Sequence, residues 1–500
     1  MHYPSFEQFE ELSRKGNLIP LYREILTDRE TPVSVLMKLK SRTHVFLLES
    51  VEGGEKWARY TFLGADPQKI FRVMGDDVVI HNGKERQQFS HGGDPLSILK
   101  DLMDGYRPVP VDGLPRFSGG AVGFLAYDMV RYFENLPDRG LAGVGTEEAV
   151  FLITDTLLIF DNVKHTIKVV AAVCTDGVDD LRVAYAEGTS KIDRLVAIMT
   201  TATENATSAA RPAEPTLRST VSPDEFRSMV EKAKDYIVAG DIIQVVLSQR
   251  FETNNGLDPV DLYRALRYIN PSPYLFYLKM DDLVLIGSSP EVMVRLDEGI
   301  VELRPIAGTR KRGKTEQEDR RLADELLRDE KERAEHIMLV DLGRNDLGRI
   351  ARIGSVQVTQ LMTVERYSHV MHLVSNIRAQ LDPRRDAFDV IKASFPAGTL
   401  SGAPKVRAME IIDEIECSRR GPYGGAVGYV SFTGNMDLGI TIRTIMVKGE
   451  KLYIQTGAGI VADSDPSAEY DETVNKARAM MQAIRLAATD FDISYTKRED

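Results

Sequence analysis

The sequence predicts an α+β fold built mainly from antiparallel sheets. Three observations carry that reading: β-like runs arrive in hairpin groups, helical segments gather between the groups, and no strand–helix–strand alternation or internal repeat of roughly 20 to 50 residues runs through the chain. Before residue 200, Phe6–Lys15 and Leu181–Ile198 read as helices, while Val45–Ser50 and Phe151–Phe160 are β-like runs between Gly- and Asp-rich turns. Thr200–Thr220 consists largely of Ala, Thr, Ser, Pro and Asn, with Leu217 its one large apolar residue. A linker is therefore placed at 200–221, between an N-terminal α+β region (1–199) and a second region (222–490), with a tail at 491–500.

Past the linker, Ser222-Pro223-Asp224 opens a helix to Val238, and Gly240-Asp241 turns it into a strand, Ile242–Phe251. Strands follow at Tyr274–Lys279, Leu283–Gly287, Val292–Leu296 and Ile300–Arg304. Helices are predicted over Glu316–Leu342 with a break near Asp329, then Ala387–Ser394 and Val406–Glu416. Gly343 and Gly348 point to an end earlier than Leu342 for the first of these, since Gly in a helix costs up to about 1 kcal/mol relative to Ala. A second strand group takes Ala426–Phe432, Leu438–Val447 and Lys451–Thr456, and a last helix runs over Pro466–Leu486.

Composition narrows the function. The 500 residues carry 63 Lys+Arg against 75 Asp+Glu, a net charge of −12, which argues against a generic nucleic-acid or anionic-membrane binder. The longest apolar run, Ala149–Phe160, is broken by Asp155 and falls short of the roughly 20 residues a membrane span requires. The first residues lack the basic and apolar regions of a secretory signal, so a cytoplasmic location is expected. Cys174 and Cys417 are the only cysteines. That excludes a disulfide framework, and each is expected to be a buried small hydrophobe.

Two Gly-rich segments invite nucleotide readings and fail them. In Gly398–Lys405 the spacing and Pro404 are wrong for a phosphate loop. Gly457–Ala462 does fit G-x-G-x-x-[GA], yet 500 − 459 leaves 41 residues, too few for a dinucleotide fold. More informative are two carboxylate pairs, Glu332/Glu335 and Glu469/Glu472, each spaced to share one helix face. Each alone reads most plainly as a solvated acidic face. Converging, they would form a hard-oxygen site suited to Mg²⁺ and an anionic substrate. His369-x-x-His372 has no third ligand motif and reads as structural rather than zinc-binding.

Taken together, Pro305–Arg310, Glu332-x-x-Glu335-His336, Asp341–Asp346, Gly398–Lys405 and Asp471–Arg478 resemble the chorismate-utilising enzymes, and within them the anthranilate synthase large-subunit branch. The resemblance runs from Leu47–Ser50 to the last helix. It implies two orthogonally packed antiparallel sheets with helices outside, and a lyase that aminates chorismate at C2 and then eliminates pyruvate to give anthranilate. It further implies that Glu335 and Glu472 ligate Mg²⁺ while Glu332 and Glu469 hold its waters. Gly308, Thr309, Thr399, Tyr423, Arg443, Gly457, Ala458, Gly459 and Lys476 are expected around the substrate. Glu291 matches the family's general acid and His372 the residue linked to pyruvate elimination. Relatives that add water carry a Lys where Gln244 stands, and those that aminate at C4 carry one where Ala307 stands, so neither of those chemistries is expected.

Neither cysteine sits in the Gly-flanked turn of a glutaminase nucleophile. A separate glutamine amidotransferase subunit is therefore expected as partner, in a heterotetramer. Glu49, Ser50, Pro273, Tyr274 and Leu275 match the family's site for inhibitory L-tryptophan. On residues alone, they read as a buried edge strand and a Pro-set turn. Two competing expectations remain: an enzyme that stops at 2-amino-2-deoxyisochorismate, and a catalytically silent tryptophan-binding or scaffold subunit.

Overall fold

The computed structural model describes residues 1–26, 29–50, 59–201, 215–367, 370–489 and 491–493. Most of the predicted linker (202–214), His369 and the end of the tail (494–500) lie outside these residues. Two twelve-stranded sheets form the body, and the ladders within them are antiparallel. Each sheet draws strands from both sides of the 200–221 segment. His44–Glu49 pairs with Tyr274–Met280 in one, and Gly120–Leu125 with Ala426–Ser431 in the other.

Strand alternation decides which core each side chain enters. In Leu283–Ser289, Leu283 and Leu285 join a core supplied by both sheets, whereas Val284 and Ile286 join one packed under helices such as Pro259–Ile269 and Pro466–Ala488. With helices covering the outer faces, both faces of these strands are buried, which explains their near-continuous apolar runs. Ala149–Phe160 shows the same logic. It breaks at Asp155 into Ala149–Thr154 and Thr156–Asp161, which belong to different sheets, and Asp155 at the crossing pairs with Lys191 at 2.6 Å. Among the described residues no helix is long and apolar enough to cross a membrane.

Several sequence expectations are corrected. Asp329 does break the long helix and caps the second half. That half nevertheless continues through Gly343 to Gly348, because a Cβ on Gly343 would stand 2.8 Å from the Ile377 side chain: the glycine lets helix and sheet approach. Leu438–Val447 is two strands, Met436–Ile440 and Thr444–Lys448, in different sheets. His44–Glu49 is paired on both sides, so it is no edge strand. Helices Pro32–Leu39, Pro95–Asp104 and Pro259–Ile269 were not anticipated, although each has an Asp or Thr N-cap followed by Pro. Cys417 is exposed and Cys174 half-exposed, contrary to the buried role expected.

Candidate active site

Strand Gln244–Asn254 pairs with Lys451–Ile460 so that Val246 faces Gly459 and Ser248 faces Gly457. These strands, with residues of the second sheet, wall a cavity of about 760 Å³. Gly457 is required by what stands opposite, backbone included, and Gly459 leaves room for a side chain that faces it. A Cβ on Gly457 would lie 2.6 Å from the Tyr423 hydroxyl, and one on Gly459 would lie 2.6 Å from Gln244 Nε2. Alternation turns the intervening Ala458 the other way, into a helix-covered core, where it is fully buried. Its side chain does not reach the cavity, and any contribution from this position would come from backbone.

All the other expected catalytic, substrate and metal positions line this cavity: Glu291, Gly308, Thr309, Glu332, Glu335, His372, Thr399, Tyr423, Arg443, Gly457, Gly459, Glu469, Glu472 and Lys476. Backbone irregularities place several of them. Arg443 sits at φ +50° in the corner between two strands of different sheets, a left-handed conformation costly for a non-glycine residue. Gly308, at φ +65°, marks the register shift between Ala307 and Thr309 against strand Val370–Gln380. The carboxylates come from two capped helices. Asp329 accepts from the amides of Lys331 and Glu332, and Asp465 from those of Ser467 and Ala468.

The electrostatics divide the groups. Enclosure raises Glu291 to about 7, and the Thr399 hydroxyl, donating to Glu291 Oε1 at 2.8 Å, with Lys476 and Arg443, only partly opposes that rise. Burial, followed by repulsion from Glu332 and Glu472, raises Glu335; burial outweighs a stabilising contact from Ser464 in raising Glu469, with Glu472 adding repulsion. Burial lowers Arg443 and lowers His372, so the imidazole is neutral near pH 7. His372 Nδ1 lies 3.1 Å from Gly308 O. A ring that donates its Nδ1–H there leaves Nε2 as the acceptor.

Among the described residues, no three metal-binding side chains form a closed ligand set. Glu472 Oε1 is 2.7 Å from Lys476 Nζ, and Glu332 Oε1 accepts from Arg310 at 3.0 Å. The sequence reading did not assign Lys331, Gln455 and Asn475, which also border the cavity. Gln455 shares its strand face with Gly457 and Gly459, and Asn475 lies at helical spacing from Glu472, so periodicity would have found both.

A second cavity, of about 1030 Å³ and also walled by both sheets, contains Glu49, Ser50, Pro273, Tyr274 and Leu275 together. Glu49 is buried; Tyr263 donates its hydroxyl to it, and Arg267 donates Nε–H at 3.0 Å. Tyr274 donates to Asp437 Oδ1 at 2.6 Å. Tyr274 and Leu275 pair with Ser289 and Ser288, two residues or so before Glu291, so one ladder joins the two cavities.

Comparison with known proteins agrees with this architecture. A family profile described as chorismate binding enzyme matches residues 44–482. Proteins named anthranilate synthase component 1 from Aquifex aeolicus (strain VF5) and Acetivibrio thermocellus are 48% and 47% identical, covering 97% of this chain and 98% and 99% of their own lengths. The crystal structure of anthranilate synthase component I from Streptococcus pneumoniae TIGR4 is similar at a TM-score of 0.77 and 37% identity, over 91% of this chain and 99% of that one. The menaquinone-specific isochorismate synthase of Escherichia coli shares the fold at a TM-score of 0.69 and 17% identity, over 96% of this chain and 98% of that one. With the profile match spanning both sheets and both cavities, the chain belongs to the chorismate-binding enzyme family.

Proposed function

We propose that this chain is the large subunit of an anthranilate synthase, converting chorismate and ammonia to anthranilate and pyruvate. The observation that carries the reading is Glu291, a carboxyl held up to about 7 at the wall of a cavity that offers Gln244 and Ala307 where other branches of the family need a lysine. A protonated Glu291 donates to the C4 hydroxyl as the C2–N bond forms and the C4–O bond breaks, so the leaving group departs as water and the new ammonium group at C2 sheds one proton to solvent. The neutral His372 then takes the C2 proton on Nε2. The ring aromatises and the C3–O bond breaks, and the departing enolpyruvate takes a proton on its methylene carbon to become pyruvate. Tyr423, Arg443 and Lys476 bind and orient the enolpyruvyl carboxylate of the substrate.

Glu332, Glu335, Glu469 and Glu472 fit Mg²⁺. They are hard oxygen donors facing one cavity, and repulsion among them is relieved by a divalent ion. When bound, that ion would neutralise a substrate carboxylate. Because neither Cys174 nor Cys417 suits a glutaminase nucleophile, a separate amidotransferase subunit supplies ammonia from glutamine. The second cavity is proposed to take L-tryptophan as inhibitor, with Glu49 facing its ammonium group.

The test is purified chain with chorismate, Mg²⁺ and ammonium, read by anthranilate fluorescence and pyruvate release. An aminated product without pyruvate would instead identify an enzyme that stops at 2-amino-2-deoxyisochorismate. No turnover of chorismate would sink the proposal.

A further inference from the structure

Two of the motifs quoted above, Asp341–Asp346 and Gly398–Lys405, contribute Asp346 and Lys405, to which the proposed chemistry gives no task. Their side chains meet at 2.8 Å, Lys405 Nζ to Asp346 Oδ2, and Nζ also donates to Ser394 O at 3.3 Å. Asp346 is only 8% exposed. Glu291, for its part, borders two spaces. One is the active cavity, and the other is a smaller cavity of about 50 Å³ whose wall includes Arg304, Asp346, Ser394 and Thr399. A water needs roughly 10–15 Å³ of such volume and two to four polar partners. The small cavity meets both conditions.

A general acid that gives up its proton in each turnover must regain it. Once chorismate fills the active cavity, the substrate covers that face of Glu291. We propose that water in the small cavity links Glu291 to the Asp346–Lys405 pair, which returns a proton to Glu291 while the active cavity is still filled. This rests on Glu291 being the acid of the proposed reaction. The step balances as a proton transfer alone. The Asp346 carboxyl, which burial favours in its protonated form, passes a proton to water, that water gives one of its own to the Glu291 carboxylate, and Asp346, held in place by Lys405, is recharged from solvent. Asp346 therefore acts through Glu291 without touching substrate. The charged and polar groups acting on the two ends are Thr399, Lys476 and Arg443 around Glu291, and Lys405, Arg349 and Glu134 around Asp346. Arg304 on the cavity wall is held by Glu365.

The experiment uses the full chain with chorismate, Mg²⁺ and ammonium. Asp346→Asn is expected to lower kcat at least tenfold with KM for chorismate unchanged. Rising concentrations of imidazolium buffer should restore kcat, because a small acid can deliver the missing proton. Asp346→Glu should retain kcat. A merely structural loss would not respond to buffer, so an unrescued loss, or an unchanged kcat, overturns the relay. Should Asp346→Asn fail to fold, the wild-type proton inventory in H₂O–D₂O mixtures decides. A curved inventory, with more than one proton in flight, supports the relay, and a linear one or no isotope effect rejects it. If wild-type chain makes no anthranilate, the proposed function itself has failed, and the two failures remain distinct.

Discussion

Replacing Glu291 by Gln should stabilise the protein at alkaline pH while abolishing turnover. In the folded chain this carboxyl is raised from 4.5 to about 7 by enclosure, about 2.5 pH units. At roughly 1.4 kcal/mol per pH unit, ionising Glu291 in place costs up to about 3.5 kcal/mol relative to the unfolded chain. Because the folded group holds its proton more tightly, wild type is at full advantage below about pH 4.5, loses stability as pH rises towards 7, and carries the whole penalty above it. Glu291→Gln has no proton to lose. With an unfolding entropy of roughly 2.1 cal/mol/K per residue over 500 residues, the variant should melt about 3 °C above wild type at pH 8 and near it at pH 5. Activity should move oppositely. Wild-type kcat/KM falls about tenfold per pH unit above 7, and the variant loses roughly 10²- to 10⁴-fold with that limb removed. Scanning calorimetry across pH 5–8, alongside the fluorescence assay, checks both. A melting difference that does not change with pH, or a Glu291→Gln enzyme that keeps its alkaline limb, would refute the argument.

Thr399→Val removes a hydrogen bond worth about 1 kcal/mol that favours ionised Glu291, so the alkaline limb of kcat/KM should move up by somewhat under one pH unit. Glu335→Gln should abolish Mg²⁺-dependent turnover while leaving metal-free thermal stability equal or higher, because one of the mutually repelling carboxylates is gone; normal turnover would exclude the metal assignment. Lys476→Met strips a cation from the cavity and should raise KM for chorismate by at least tenfold, measured at saturating ammonium. Tyr263→Phe leaves Glu49 with Arg267 but without its phenol donor, and is expected to weaken tryptophan inhibition with kcat unchanged; unaltered inhibition would separate Glu49 from the regulatory site.

Where the sequence signal was local, it was legible. Ser222 marks a helix start and Asp329 a helix break because a capping side chain acts on amides two or three residues away, and the structure uses both. The paired glutamates could likewise be placed on one helix face each by spacing alone. What spacing could not convey is decided by contacts across the chain. Strands buried on both faces lose the alternation that would assign them to a sheet, so Leu438–Val447 gave no sign of changing sheets midway. The sign lies in Arg443, whose left-handed φ turns the chain between sheets and brings its guanidinium to the cavity wall. His372 was hidden for a related reason. Its strand, Val370–Gln380, pairs with three others, including Gln357–Arg366, whose ladder carries two register shifts, and Ile306–Lys311, whose shift is at Gly308. Such irregularities are inexpensive in sequence terms, a glycine or nothing at all, yet they aim side chains. The same distinction explains Ala458, whose motif position says substrate while its place in the alternation says core. A motif fixes which residues travel together in the chain, and the pleat decides which of them face the cavity.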